Sequence, residues 1–421
     1  MIRSIALVVF LAATPAFAQD STWVDHLRAA RAAMARDDLD VARAHLERVD
    51  ALVGGHAGAM ANLAVIAAVQ GNRERMLHWL DAYAATGLQR HFTRDSTFAR
   101  FVRDTAFWNV AQRIEANGDP IVRATVAITL NDPSLLAEDL AWDARRNRFL
   151  VSSIHRGKIL AIDLKGNIKD FVTPWGAWGM YALGIDAKRN RLWATTAAGP
   201  EYQAYQVADS GRTALLGFDL GSGRQFTRVE LPAGSSRHVL GDLTIGPDGA
   251  VYVSESIGGG VYKLKPGAKE LYPIAPNGTF GSPQSPVVSA EGRTLYVADY
   301  PRGIATIALR GEAIGWLAKP HDLAAGGIDG LYRTPTGFIA IQNGTNPHRV
   351  IALTLDKSGR AISTWRVLEQ ASPSLGEPDH GALVGRDFYF IGNSGWDRVD
   401  AAGILQTTAD AKPPVLLRLR L

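Results

Sequence analysis

The sequence predicts a mainly β protein, a six-bladed β-propeller preceded by a small α-helical (tetratricopeptide-like) domain. A unit of short strands and tight turns recurs at steps of roughly 40 to 60 residues, which is close to the period of propeller blades. The first hundred residues are different, because they are rich in Ala, Arg and Leu and have a helical period. With 421 residues, the chain is long enough for two domains of this kind.

Residues 1–18 have the features of a secretory signal peptide. Arg3 precedes an apolar run from Ile5 to Ala13, and Ala16-Phe17-Ala18 supplies small residues for cleavage before Gln19. The apolar run is too short to span a bilayer comfortably, so we expect no membrane span after cleavage. We therefore expect a periplasmic or secreted protein.

Composition and motifs exclude several classes of function. The chain has no cysteine, which excludes disulfides, thiolate metal sites and cysteine nucleophiles. Its formal charge is +4 and the basic residues are dispersed, so we expect no nucleic-acid partner. The sequence contains no nucleophile elbow, no zinc-protease helix motif and no Walker motif.

Residues 19–120 are predicted to form the helical domain. Two pairs of helices with short polar turns and Ala at close-packing positions resemble tetratricopeptide hairpins. Such helices commonly bind a protein partner, and the alternative is a helical cap packed on the propeller rim. Asn117-Gly118-Asp119-Pro120 breaks the last helix and marks the domain boundary.

Residues 121–421 are predicted to form the propeller. Its repeating unit is clearest at Ser282 to Leu309, where three short strands are separated by two turns. The last repeat, from Asp379, lacks a strand, and Val122 to Leu130 reads as a strand that precedes the first repeat. If this early strand pairs within the last blade, it closes a ring of six blades with no free edge. The long insertion at Gly199 to Ser210 is typical of a wall or lid at a binding face.

The repeat alignment predicts which side chains face the central channel. Oxygen ligands that converge there from several blades suit a hard divalent cation, Ca²⁺ first, with Mg²⁺, Mn²⁺ and Zn²⁺ as alternatives. The other interpretation is that buried carboxylates cap backbone amides inside the channel. The residues at the start of the inner strands are Glu138, Tyr181, Gly241, Gln284 and Asp329, with Asp379 and His380 in the sixth blade, and the second strands end near Ser153, Glu255, Asp299, Asn343 and Asn393.

The stretch from Leu136 to Ser394 resembles the senescence-marker-protein/gluconolactonase family of six-bladed propellers. The resemblance rests on Glu138 in AEDLAWD and Asp329 in GIDGLYRTPTG, which match two metal ligands of that family. It implies a divalent metal held by Glu138, Gln284 and Asp329, with Gln284 standing where the family has Asn. Another family Asn falls at Gly241. The activity implied is hydrolysis of a small-molecule lactone or ester.

Three residues are candidates for moving the proton in such a reaction. Asp329 or Asp242 would deprotonate a water molecule, and His380 is the alternative base. The other interpretation of His380 is a hydrogen-bonded histidine in a loop. The alternative function for the whole chain is a non-catalytic periplasmic propeller scaffold that binds a protein or a small ligand.

Overall fold

The structure is a computed structural model that describes residues 22–232 and 238–421. The predicted signal peptide lies outside these residues. Across the two described ranges, every helix is too short or too polar to cross a membrane.

Five α-helices come before the first strand in the described part of the chain. Side-chain caps fix where they begin: Thr22 and Asp25 form a capping box at the first helix, and Asn72 accepts a hydrogen bond from the Arg75 amide at the fourth. The resemblance to tetratricopeptide hairpins stays a prediction. The helices are α1 (Trp23–Met34), α2 (Leu39–Val53), α3 (Ala57–Val69), α4 (Arg73–Ala85) and α5 (Thr105–Ala116).

Six four-stranded antiparallel sheets follow, and they confirm the predicted six-bladed propeller. The first strand of each blade contacts the first strands of its two neighbours, so these six strands surround the central channel. Blade 1 consists of β2 (Ala137–Asp143), β3 (Arg148–Ser153), β4 (Lys158–Asp163) and β5 (Ile168–Val172); blade 2 of β6 (Gly179–Asp186), β7 (Arg191–Ala197), β8 (Thr213–Asp219) and β9 (Gln225–Glu230); blade 3 of β10 (Leu240–Ile245), β11 (Val251–Glu255), β12 (Gly260–Leu264) and β13 (Tyr272–Ala275). Blade 4 consists of β14 (Pro283–Val288), β15 (Thr294–Asp299), β16 (Gly303–Ala308) and β17 (Ile314–Trp316); blade 5 of β18 (Ile328–Thr334), β19 (Gly337–Gln342), β20 (Arg349–Leu355) and β21 (Ile362–Gln370); blade 6 of β22 (Gly381–Val384), β23 (Asp387–Gly392), β24 (Val415–Arg420) and β1 (Thr125–Thr129).

The ring closes through β1, the outermost strand of blade 6. This strand pairs with β24 in antiparallel register, Thr125 opposite Arg418. The approach to β1 is also fixed, because the buried Glu369 carboxylate accepts the backbone N–H groups of Arg123 and Ala124 over 2.6 and 2.8 Å. The predicted closure by Val122 to Leu130 is therefore confirmed.

The helical region packs on blade 5 and on the connection between blades 4 and 5. Arg349, which is fully buried, donates to the carbonyl oxygens that follow α4, and Lys319 donates to the Gly54 carbonyl oxygen between α2 and α3. Gln370, at the end of β21, donates to the carbonyl oxygens of Asn117 and Asp119. These contacts place the α2–α3 connection on the propeller surface.

Candidate active site

A repeated β-bulge positions the side chains of the central channel. In blades 1 to 5 the pairing of the first two strands shifts over the same stretch of the inner strand, as between Ala137 and Leu140 in blade 1. A bulge turns a strand locally and re-aims its side chains. The bulges hold five consecutive pairs, which are Glu138-Asp139, Tyr181-Ala182, Gly241-Asp242, Gln284-Ser285 and Asp329-Gly330.

The first residue of each pair lines a cavity of about 400 Å³ at the channel mouth. The repeat alignment predicts one ring for these five residues, and the structure brings them to this one cavity. The complete set from the bulges is Glu138, Tyr181, Gly241, Gln284 and Asp329, and Asp242 joins them from the second bulge position.

Below this level, His380 is buried among carboxylates. Its Nε2 lies 3.1 Å from Oδ1 of Asp242, 3.6 Å from Asp379 and 4.0 Å from Asp329. Its Nδ1 lies 3.1 Å from the Tyr332 hydroxyl, which also accepts the N–H of Gly381 over 2.6 Å. Both ring nitrogens of His380 therefore face partners within the protein.

These groups shift one another's pKa values. Burial raises the pKa of Glu138 to about 8, with His380 opposing the shift and Asp329 adding to it, and burial raises that of Asp242 to about 7. Burial lowers the pKa of His380, but the carboxylates around it, first Asp242 and then Asp329, raise it to about 10. Burial also raises the pKa of Asp379 well above its usual range. The channel thus holds more carboxyl groups than one imidazolium can balance, so without a cation some of them take up a proton.

Two triads in the described residues have ligand atoms close enough for one metal ion. Glu138, Asp379 and His380 form one, and Asp242, Asp329 and His380 form the other, with all ligand atoms of a triad within 4.8 Å of one another. Glu138 and Asp329, which the sequence analysis assigned to one ion, line the same cavity but belong to different triads.

Neighbouring side chains orient the three predicted ligands. Trp396 donates from Nε1 to Oε2 of Glu138 over 2.7 Å, and Asn343 donates from Nδ2 to Oδ2 of Asp329 over 2.6 Å. The Gln284 amide nitrogen donates to the Ser282 hydroxyl over 3.0 Å, so the Gln284 carbonyl oxygen is the atom left for a ligand.

The predicted ring from the second strands is wrong for all but one residue. Asn343 lines the channel mouth. Glu255 and Asp299 instead accept backbone N–H groups of neighbouring loops, as the amide-capping interpretation describes for carboxylates. Ser153 and Asn393 donate to backbone carbonyl oxygens. These four residues therefore tie blade connections together.

Several residues of the site are not predicted from the sequence. Trp396 and Glu377 lie in the irregular parts of blade 6, where the repeat is too degenerate to align, and both line the channel mouth. Tyr332 follows the bulge of blade 5 and holds His380. The insertion predicted to form a wall contributes Glu201 to the channel mouth.

No protein-family profile and no curated protein matches this sequence. Among solved structures, the chain is similar to a streptogramin B lyase, at 14% identity and a TM-score of 0.48, over 70% of this chain and 97% of that one. It is similar to a gluconolactonase of Xanthomonas campestris, at 17% sequence identity and a TM-score of 0.48, over 72% of this chain and 94% of the gluconolactonase. It is also similar to regucalcin, a calcium-binding protein of Agrobacterium tumefaciens, at 14% sequence identity and a TM-score of 0.47, over 70% of this chain and 95% of regucalcin. These similarities concern the fold alone.

Proposed function

We propose that the chain is an exported hydrolase that opens a lactone or ester at the channel mouth with the help of a divalent cation, Ca²⁺ first. The observation that carries the proposal is the convergence of oxygen ligands at one bulge position of several blades, in a cavity lined by five carboxylates and by no Lys or Arg among the described residues. Carboxylates crowded in this way repel one another unless a proton or a cation intervenes.

The donor set fits a hard divalent ion. All three proposed ligands, Glu138, Gln284 and Asp329, present oxygen atoms, which Ca²⁺ and Mg²⁺ prefer. Oδ2 of Asp379 is buried and has no hydrogen-bond partner in the described part of the chain, so the site has unused acceptor capacity. Gly241 lines the same cavity, and a Cβ there would lie 3.2 Å from the Ser256 hydroxyl, so a larger residue would crowd this wall of the site. When bound, the cation would polarise the carbonyl group and lower the pKa of a nearby water molecule.

The chain's own groups would carry the proton. A water oxygen attacks the carbonyl carbon, its proton passes to the carboxylate of Asp329 or Asp242, and the bond from the carbonyl carbon to the alkoxy oxygen breaks. The same carboxylic acid then returns the proton to the departing oxygen. Asp329 and Asp242 line the channel mouth, whereas His380 does not. We therefore assign His380 the role of a positioning residue that holds Asp242.

Metal content and hydrolysis test this proposal together. The purified protein, dialysed against calcium, is expected to retain the ion in elemental analysis and to melt at a higher temperature than in chelator. It is expected to hydrolyse simple lactones or aryl esters only in the calcium form. A protein that retains no metal and melts identically in both buffers would favour the non-catalytic scaffold.

Export has its own test. The mature protein isolated from the periplasm or medium is expected to begin at Gln19, which mass spectrometry of the intact chain would establish. An intact Met1 in protein that stays inside the cell would overturn this part of the proposal.

A further inference from the structure

A second cavity lies between the helical region and the propeller, beside the channel mouth. It encloses about 380 Å³ and is lined by the α2–α3 connection, by the loop at 324–327 and by residues 344–346. Tyr300 lines both this cavity and the channel mouth. Asn343 lines the channel mouth, and the next residue, Gly344, lines the second cavity. The two cavities are therefore neighbours that share a side chain.

The two cavities have opposite charge. Lys319 and Arg302 line the second cavity, and within residues 22–232 and 238–421 no Asp or Glu lines it. The channel mouth has the reverse composition, with acidic residues and no Lys or Arg in the part of the chain that the structure describes. Opposite charges in neighbouring cavities favour a ligand whose own charge is unevenly distributed.

Lys319 has no carboxylate within ion-pair distance in the described residues. Its ammonium group donates to the carbonyl oxygens of Gly54 and Leu323, which leaves one of its three N–H donors for a ligand. The two nearby acids have other partners. Asp50 lies 3.0 Å from Nε2 of His321, and Asp322 accepts the Trp365 indole N–H over 3.3 Å.

Arg302 also has hydrogen-bond donors left for a ligand. Its guanidinium carbon lies 3.8 Å from the centroid of the Trp316 ring, so one face of the group is stacked. Among the described residues, its guanidinium makes no hydrogen bond and no ion pair, and the Asp299 carboxylate acts on its charge only from beyond ion-pair distance. The N–H edge of Arg302 can therefore meet a planar or tetrahedral anion.

We propose that the second cavity binds an anionic oxygen group of the substrate, a carboxylate or a phosphate. The part of the substrate that carries this anionic group would pass Tyr300, and the reacting carbonyl group would lie at the channel mouth. The substrate is then an acidic lactone or ester, and the helical region supplies one wall of its binding site. The hydrolysis of this substrate at the channel mouth rests on the proposed function, whereas anion binding in the second cavity does not.

Binding of simple anions tests the site. Succinate and inorganic phosphate are titrated separately into the full chain by calorimetry at constant ionic strength. At least one is expected to bind, and the stronger of the two identifies the chemical source of the anion. Arg302→Gln and Lys319→Gln are each expected to weaken that binding at least about five-fold, because each removes a charge from the site.

Arg191→Gln is the matched control, since Arg191 stacks on Phe226 in blade 2 without lining either cavity. It is expected to bind the anion like the wild type. If neither probe binds, or if Arg302→Gln binds as tightly as Arg191→Gln, the proposal is overturned. Should Lys319→Gln fail to fold, Arg302→Gln still decides the question, because its guanidinium holds no part of the helical region.

The anion site and the hydrolase assignment can fail separately. Glu138→Gln is expected to keep its anion binding while losing calcium. Anion binding that survives in a wild-type chain with no calcium response supports the anion site and contradicts the proposed function. Where hydrolysis is measurable, Arg302→Gln is expected to raise KM for an acidic lactone and to leave KM for a neutral one unchanged.

Discussion

Arg349 in blade 5 donates from Nη1 to the carbonyl oxygen of Thr86, just after α4, over 3.1 Å. The same nitrogen donates to the Gly87 carbonyl oxygen over 3.2 Å, and Nε donates to the Gln342 side-chain oxygen over 2.7 Å. Arg349 has no exposed surface. One buried cation therefore joins the helical region to a propeller strand.

Arg349→Met is expected to destabilise the protein by roughly 2 kcal/mol or more, because it leaves buried carbonyl oxygens without a donor. The free energy of unfolding in urea measures this loss, and limited proteolysis should cut the helical region first. Arg366→Met, at an exposed position of β21, is the control and is expected to change little. Equal stability of the two variants would contradict a joining role for Arg349.

Ile128→Asp in β1 is expected to cost about 3 kcal/mol, because it buries a charge in the closing strand. Ile128 is 9% exposed and packs in the cluster that contains Leu130 and Leu416. Val126 lies on the same strand and is 50% exposed. Val126→Asp is therefore the control, and urea unfolding of both variants measures the difference. If both lose equally little, β1 does not contribute to closure.

The sequence predicted the blades well because a blade repeats, and a repeated pattern of strands and turns can be aligned with itself. That alignment also placed Glu138 and Asp329 at the channel mouth. It could not predict Arg349 or Lys319 as contacts of the helical region, because a contact between two different domains has no period. It failed at Glu255 and Asp299 because the alignment fixes the level of a residue on its strand and not the direction of its side chain. On the inner strands the bulge sets the side-chain direction, and Glu138-Asp139 and Gln284-Ser285 contain no sequence signal for a bulge that we recognise.

Glu138→Gln and Asp329→Asn are each expected to weaken calcium binding by more than the roughly ten-fold that the loss of an outer partner costs. Each variant preserves shape and removes one negative charge from the proposed site. Melting temperatures in calcium and in chelator measure the effect.

Gln284→Asn shortens the third proposed ligand and is expected to change calcium affinity. If all three variants respond to calcium like the wild type, the metal site is wrong; if no metal binds, the two acidic variants should be as stable as the wild type or more so.

Gly344→Ala is expected to destabilise the protein by roughly 1 to 3 kcal/mol through overpacking. A Cβ at this position would lie 2.5 Å from the ring Cζ and hydroxyl of Tyr300 and 2.7 Å from the Cα of Gly327. The nearest atoms to a Cβ at Gly326 are 3.5 Å away, so Gly326→Ala is the matched control. Thermal unfolding compares the two, and a Gly344→Ala protein as stable as its control would show that Tyr300 is free to move.

The stability contribution of Lys319 is expected to rise with pH. Burial lowers its pKa from 10.5 to about 8, with Asp50 and Asp322 opposing the shift. Between pH 8 and 10.5 the unfolded chain therefore holds a proton that the folded chain has released, and stability grows with pH across this window. Lys319→Met has no group to titrate there. The difference in unfolding free energy between wild type and Lys319→Met is expected to move in favour of the wild type from pH 7.5 to pH 10, and a constant difference would contradict the lowered pKa.

The closure of the ring also sets an order of events during synthesis. The ribosome makes β1 before every other strand of the propeller, but its partner β24 begins only at Val415. Roughly 290 residues lie between them, so β1 waits on the order of 15 to 60 s for its partner at ordinary translation rates. A nascent chain that stops before Val415 therefore leaves unpaired the two edges, one of β1 and one of β23, that β24 covers in the finished protein. Unpaired strand edges make unfinished chains prone to aggregation.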